Sequence, residues 1–165
     1  MLTVVLQAIV IYSSIIFGKL LHLIAGQEVK QGKKYLFFAR NVLILLASAA
    51  LLHLNFKPIS VLFLLVGFGV FILLKKVNSL VYLLLGSAAF LVLLTSERII
   101  LLSFIFLLAM THSSLSAPKK KEVLISSFYL IIPFILFFIE TFIKGNLDIF
   151  TSLVAGGLLA QLKGP

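Results

Sequence analysis

Apolar residues in this chain fall in long runs, and polar ones fall in the short breaks between them. The runs are Leu2 to Ala25, Tyr35 to Leu54, Ile59 to Leu74, Ser79 to Leu94, Ile99 to Thr111, Val123 to Ile143 and Ile149 to Leu162. A helix that crosses a bilayer needs ~20 residues, with a range of about 17–25. The pattern therefore predicts an all-α integral membrane protein, a compact up-down bundle of six or seven transmembrane helices. Several runs are near the lower limit. The last is short enough to span only with thinning, or to be re-entrant or interfacial. Breaks as short as Asn55–Pro58 and Thr95–Arg98 imply antiparallel neighbours. Ser113 to Lys121, with its proline and three consecutive lysines, is the clearest loop. Pro133, midway along the sixth run, is expected to kink that helix.

Two segments echo each other. Residues 45–52 read Leu-Leu-Ala-Ser-Ala-Ala-Leu-Leu and residues 84–91 read Leu-Leu-Gly-Ser-Ala-Ala-Phe-Leu. Each follows a lysine pair, Lys33-Lys34 or Lys75-Lys76, and Lys119–Lys121 precedes another run. The rhythm suggests one leading helix followed by three hairpins. The small residues Ala47, Ser48, Ala49, Gly86, Ser87 and Ala88 would let backbones approach, as would Gly67 with Gly69 and Gly156 with Gly157.

Composition narrows the picture. The chain of 165 residues is 62% hydrophobic and 12% charged, against roughly 45–50% and about 25% in soluble domains. The mean hydropathy is +1.24. One domain, residues 1–165, is expected. The absence of cysteine excludes a disulfide, a thiolate nucleophile and a Cys-ligated metal. With no Trp, an interfacial belt would use Tyr, Phe and Lys. The start has no basic region ahead of its apolar run and no convincing cleavage site, so it is read as a retained helix.

The net charge of +9 would point to nucleic acid in a soluble chain. Here the cations sit between apolar runs, which points to membrane orientation instead. Alternating the breaks puts Lys30, Lys33, Lys34, Lys75, Lys76, Lys119, Lys120, Lys121 and Lys163 on one side, nine in all. The other side receives three: Lys57, Arg98 and Lys144. The lysine-rich side is expected to be cytoplasmic, where it can meet anionic lipids. The N-terminus is then outside and the C-terminus inside. Lys19, His22 and Arg40 fall at cytoplasmic helix ends, from which they would snorkel outward.

Polar groups at helix midpoints are the natural place to look for function. Tyr12, Ser14, Ser48, Ser87 and Ser103 would line a ligand path at mid-depth. His53, Glu97, Arg98 and Glu140, with Asp148, form an outer rim, while Lys19, His22 and His112 form a cytoplasmic cluster able to meet a phosphate. No metal-ligand spacing, nucleophile motif or phosphate-binding loop occurs, and a lone Asp cannot supply paired aspartates. No cofactor or metal is implied. The expectation is a transporter or channel-type protein, or a small hydrophobic subunit of a membrane complex, without covalent catalysis. Its expected partners are the lipid bilayer, further copies of itself or other membrane subunits. The alternative is a membrane enzyme that modifies lipid head groups with the Lys/His cluster.

Overall fold

In the computed structural model the described residues are 2–54, 56–74, 80–95, 98–115 and 120–162, and every element among them is helical. The elements are α1 (Leu2–Ile24), α2 (Gly26–Gln31), α3 (Lys33–Leu54), α4 (Ser60–Leu73), α5 (Leu80–Leu93), α6 (Arg98–Ser114), α7 (Lys120–Ile131), a 3₁₀ segment (Ile132–Ile139), α8 (Glu140–Gly145) and α9 (Leu147–Leu159). The all-helical class matches the apolar runs closely, and the breaks fall where polar residues and Gly or Pro interrupt them.

Three features differ from the sequence reading. The expected break at residues 26–34 contains the short helix α2, so α3 begins already at Lys33. The sixth run is three pieces rather than one kinked helix. Pro133 has no N–H to donate and its ring opposes the carbonyl four residues back, so the α-helix cannot continue past it. The chain tightens into eight 3₁₀ residues, well beyond the usual three or four. Helix length differs as well. Lys33–His53 is the one helix among the described residues that is long and apolar enough to cross a membrane by length and composition. Helices α4, α5, α6 and α9 are shorter, and at 1.5 Å per residue the 14 residues of α4 reach about 21 Å.

Packing follows small residues more than loop length. The helix of the last apolar run, α9, lies at the centre. Asp148, Thr151, Ser152 and the run from Val154 to Leu158 are all buried in it, against α3, α4 and α5. Three of the packed pairs are not sequence neighbours: α4 packs on α9, α1 on α6, and α5 on α7. Each pair runs parallel. Lys57 meets Asp148 at one end of α4 and α9, while Phe71 lies beside Gly157 towards the other. Ser113 bonds Ile15 in the α1–α6 pair, and Phe90 meets Phe134 edge-on just past the α5–α7 pair. The expected hairpin of α3 with α4 is not packed as one, since the two helices barely touch and both lean on α9 instead.

Glycine explains why α4 and α9 choose each other. A Cβ on Gly67 would strike the carbonyl oxygen of Leu153, and one on Gly156 would strike that of Leu64. The two backbones touch with nothing between them, as close helix packing in lipid requires. Gly69, expected to share this role, faces open space, and Gly157 meets the side chains of Leu84 and Phe71.

Candidate functional site

The parallel and antiparallel pairings bring the polar ends of several helices together. At the end formed by the C-termini of α1, α6 and α9 and the start of α3, polar side chains turn inward. His22 Nδ1 lies 2.7 Å from the Ser114 carbonyl oxygen. A carbonyl only accepts, so the ring donates from Nδ1. Ser113 Oγ donates to the Ile15 carbonyl at 2.8 Å, pinning α6 to α1. Lys19 is buried on the same helix end, and so it does not reach out to solvent as expected.

Arg40 departs further from the sequence reading. Instead of snorkelling, it is 4% exposed. It stands two turns inside α3, and the neighbouring helices close over it. Its Nη2 donates to Asn41 Oδ1 at 3.0 Å and, at 3.5 Å, to the Gln161 carbonyl at the end of α9. The guanidinium stacks over Phe37, 4.9 Å from the ring centroid, a favourable cation–π position. Its Nε is buried and has no hydrogen-bond partner.

This guanidinium borders a small cavity whose other walls are Ile44, Val81, Leu108, His112, Leu158 and Gln161. Four helices, α3, α5, α6 and α9, therefore contribute. His112 is held edge-on to Tyr82, with centroids 5.3 Å apart. The space open to the centre of a water-sized sphere is about 10 Å³, close to the lower limit for one ordered water. On the outside, an open polar groove of about 440 Å³ runs over the α1–α2 joint between His22 and Lys30.

The mid-depth residues take separate surroundings. Ser14 is buried and donates to the Ile11 carbonyl of its own helix at 2.5 Å. Ser48 is buried and donates across to the Ala155 carbonyl of α9 at 3.3 Å. Ser103 is exposed and bonds its own helix at Ile99. Tyr12 is half-buried against the core, and Ser87 is half-buried on α5. Two of the serines, Ser14 and Ser103, close on their own helix, and Ser48 serves helix packing.

At the opposite end, Lys57 pairs with Asp148 at 3.1 Å and Lys144 with Glu140 at 2.5 Å. His53 is exposed on the last turn of α3. Glu97 and the side chain of Arg98 lie outside the described residues. Where the described side chains reach it, the rim holds two ion pairs, one of them between exposed Lys57 and buried Asp148. Among the described residues, no cluster of three or more His, Asp or Glu could hold a metal.

Sequence reasoning placed His112 and Lys19 at the correct end but missed Gln161 and the burial of Arg40. Its one available signal was that Arg40-Asn41 interrupts an otherwise apolar run well after the Lys33-Lys34 break. No family model, curated protein or solved structure matches this chain. The buried guanidinium at a four-helix junction is therefore judged on its geometry and chemistry alone.

Proposed function

We propose that this chain is a polytopic integral membrane protein, a single unit over residues 1–165. It serves as a small hydrophobic subunit of a membrane complex, or as a transporter- or channel-type component, without covalent catalysis. The observation that carries the reading is the outer face of α4. Leu62, Leu65, Val66, Val70, Ile72 and Leu73 are exposed there, with no polar residue among them. Similar exposed apolar residues follow α1 at Ile9, Phe17, Leu23 and Ile24. Soluble monomers rarely expose contiguous apolar patches beyond a few hundred Å². In hydrocarbon the same surface is at no disadvantage.

The subunit role has the better support of the two. Ser14 and Ser48 are engaged with backbone carbonyls, and Ala88, Ala89 and Val92 are fully buried, which favours packing over passage in this part of the interior. Helices of about 21 Å also fall short of a ~30 Å hydrocarbon core, a mismatch that membranes relieve by thinning or by helix association. In this reading α1, α6 and α9 run inward. The end carrying Lys30, Lys33, Lys34 and Arg40 is cytoplasmic and meets anionic lipid.

The experiment uses the natural absence of cysteine. Phe56→Cys and Gln31→Cys are each exposed positions at opposite ends of α3. In sealed vesicles, an impermeant thiol reagent is expected to label them from opposite sides. Labelling of both from one side sinks the orientation, and a chain recovered without detergent sinks the membrane reading altogether. Solute flux through liposomes containing only the pure protein would decide for transport over the subunit role.

A further inference from the structure

The Arg40 cavity carries a chemistry that the proposed role does not require, and its test does not depend on that role. A guanidinium is charged at every accessible pH. Burying it is costly unless an opposite charge and hydrogen bonds accompany it. Its described partners are neutral: a side-chain amide oxygen, a backbone carbonyl and an aromatic face. None of the residues lining the cavity is acidic. The described carboxylates are engaged or placed elsewhere, Asp148 on Lys57, Glu140 on Lys144 and Glu28 beside the open groove. What remains is one buried N–H with nothing to accept it.

We infer that this cavity, walled by α3, α5, α6 and α9, binds a small monovalent anion, with Arg40 as its charged donor. Size selects the class. At about 10 Å³ the space is at the floor for one water, so a chloride ion seats with a small outward shift of the walls, whereas a phosphate group would need a far larger one. Wall chemistry selects it further. Ile44, Val81, Leu108 and Leu158 offer only hydrocarbon, and Arg40 is the one charged residue among the lining side chains. Apolar walls with few N–H groups suit a weakly hydrated halide better than a strongly hydrated oxyanion. The bound charge would complete the guanidinium's hydrogen bonding and join four helices at once.

The test uses the full chain in uncharged detergent, in gluconate buffer of constant ionic strength, with chloride as the probe. Thermal unfolding is followed as chloride replaces gluconate, and the ³⁵Cl resonance of the wild-type sample is followed in parallel. The expected result is a saturable rise in Tm, with ³⁵Cl broadening that bromide displaces. Arg40→Gln is expected to weaken the apparent affinity about tenfold or more, since hydrogen bonds to charged groups are the strong ones. Arg40→Lys keeps the charge without the fork and is expected to fall between. Lys57→Gln, at the opposite end, is expected to leave the chloride response unchanged. If neither Arg40 variant folds, the wild-type broadening and its bromide displacement still decide. A wild-type chain indifferent to chloride by both readouts overturns the inference and assigns the space to water. Stabilisation by inorganic phosphate, or by micelles carrying phosphatidylglycerol, without any chloride response also overturns it.

Discussion

Helices α4 and α9 are nearly the same length and pack against each other, yet they occupy opposite environments. Most of α9 is buried, from Asp148 through Leu158, whereas on α4 only Ser60 and Gly67 are buried. Apolar character does not explain it, since the more apolar α4 is the exposed one. What does is the number of faces offering small residues. Thr151, Ser152, Ala155, Gly156 and Gly157 go round α9, so it accepts neighbours on several sides. On α4 one glycine faces the partner and the other faces open space. A helix that can be approached from one side becomes a wall, and one that can be approached from all sides becomes an axle.

The comparison can be broken first at the axle. Leu158→Ala, at a fully buried position, is expected to cost about 2–5 kcal/mol, read as a lowered Tm in detergent. Leu65→Ala on the α4 wall, 59% exposed, is expected to leave Tm nearly unchanged. Equal losses would mean that α4 is covered and the contrast is false.

A charge sharpens the environment of the wall. Leu65→Lys is expected to cost about 2.5–3.5 kcal/mol if that face meets the hydrocarbon centre. Membrane insertion efficiency would measure it. Wild-type insertion of the lysine variant would mean that this face is wet.

The two α4 glycines give the next smaller effect. Gly67→Ala, against the Leu153 carbonyl, is expected to destabilise by about 1–3 kcal/mol through overpacking. Gly69→Ala, facing nothing within 4 Å, is expected to stabilise by up to about 1 kcal/mol through helix propensity. Their opposite signs in one thermal series locate the contact stripe to within two residues.

The smallest effect is electrostatic. Lys57 is 61% exposed in its pair with Asp148, so Asp148→Asn is expected to change stability by less than about 1 kcal/mol. A loss as large as that of Leu158→Ala would make the ion pair, rather than glycine contact, what holds α4 to α9.

Helix positions were readable because each apolar run ends where charges or turn residues begin, as at Lys33 and Ser60. Helix partners were not. Short breaks suggested that α3 folds back on α4, but connection length says only what is possible, and the Gly67–Gly156 contact decided otherwise. The centrality of α9 was hidden because a short apolar run, measured against a bilayer, reads as re-entrant or interfacial as readily as spanning. The Pro133 break was visible as a proline, yet the eight 3₁₀ residues depend on how the segment packs against α5. At the site, His112 was legible as a polar residue at a helix end. Arg40 looked like one more orienting cation, because sequence gives its depth along α3 but not which helices close over it.

The parallel pairing of distant helices also constrains how the chain comes to be assembled. The partner of α4 is separated from it by residues 74–146, and α1 must wait for α6. A helical hairpin can form as soon as its second arm is made, whereas these pairs have high contact order and close late. During synthesis, then, α3 and α4 emerge before the axle that joins them exists. Any partner or chaperone that shelters the Gly67 stripe in that interval competes with α9 for the same surface. Biogenesis of this protein is expected to be limited by the arrival of its final helix.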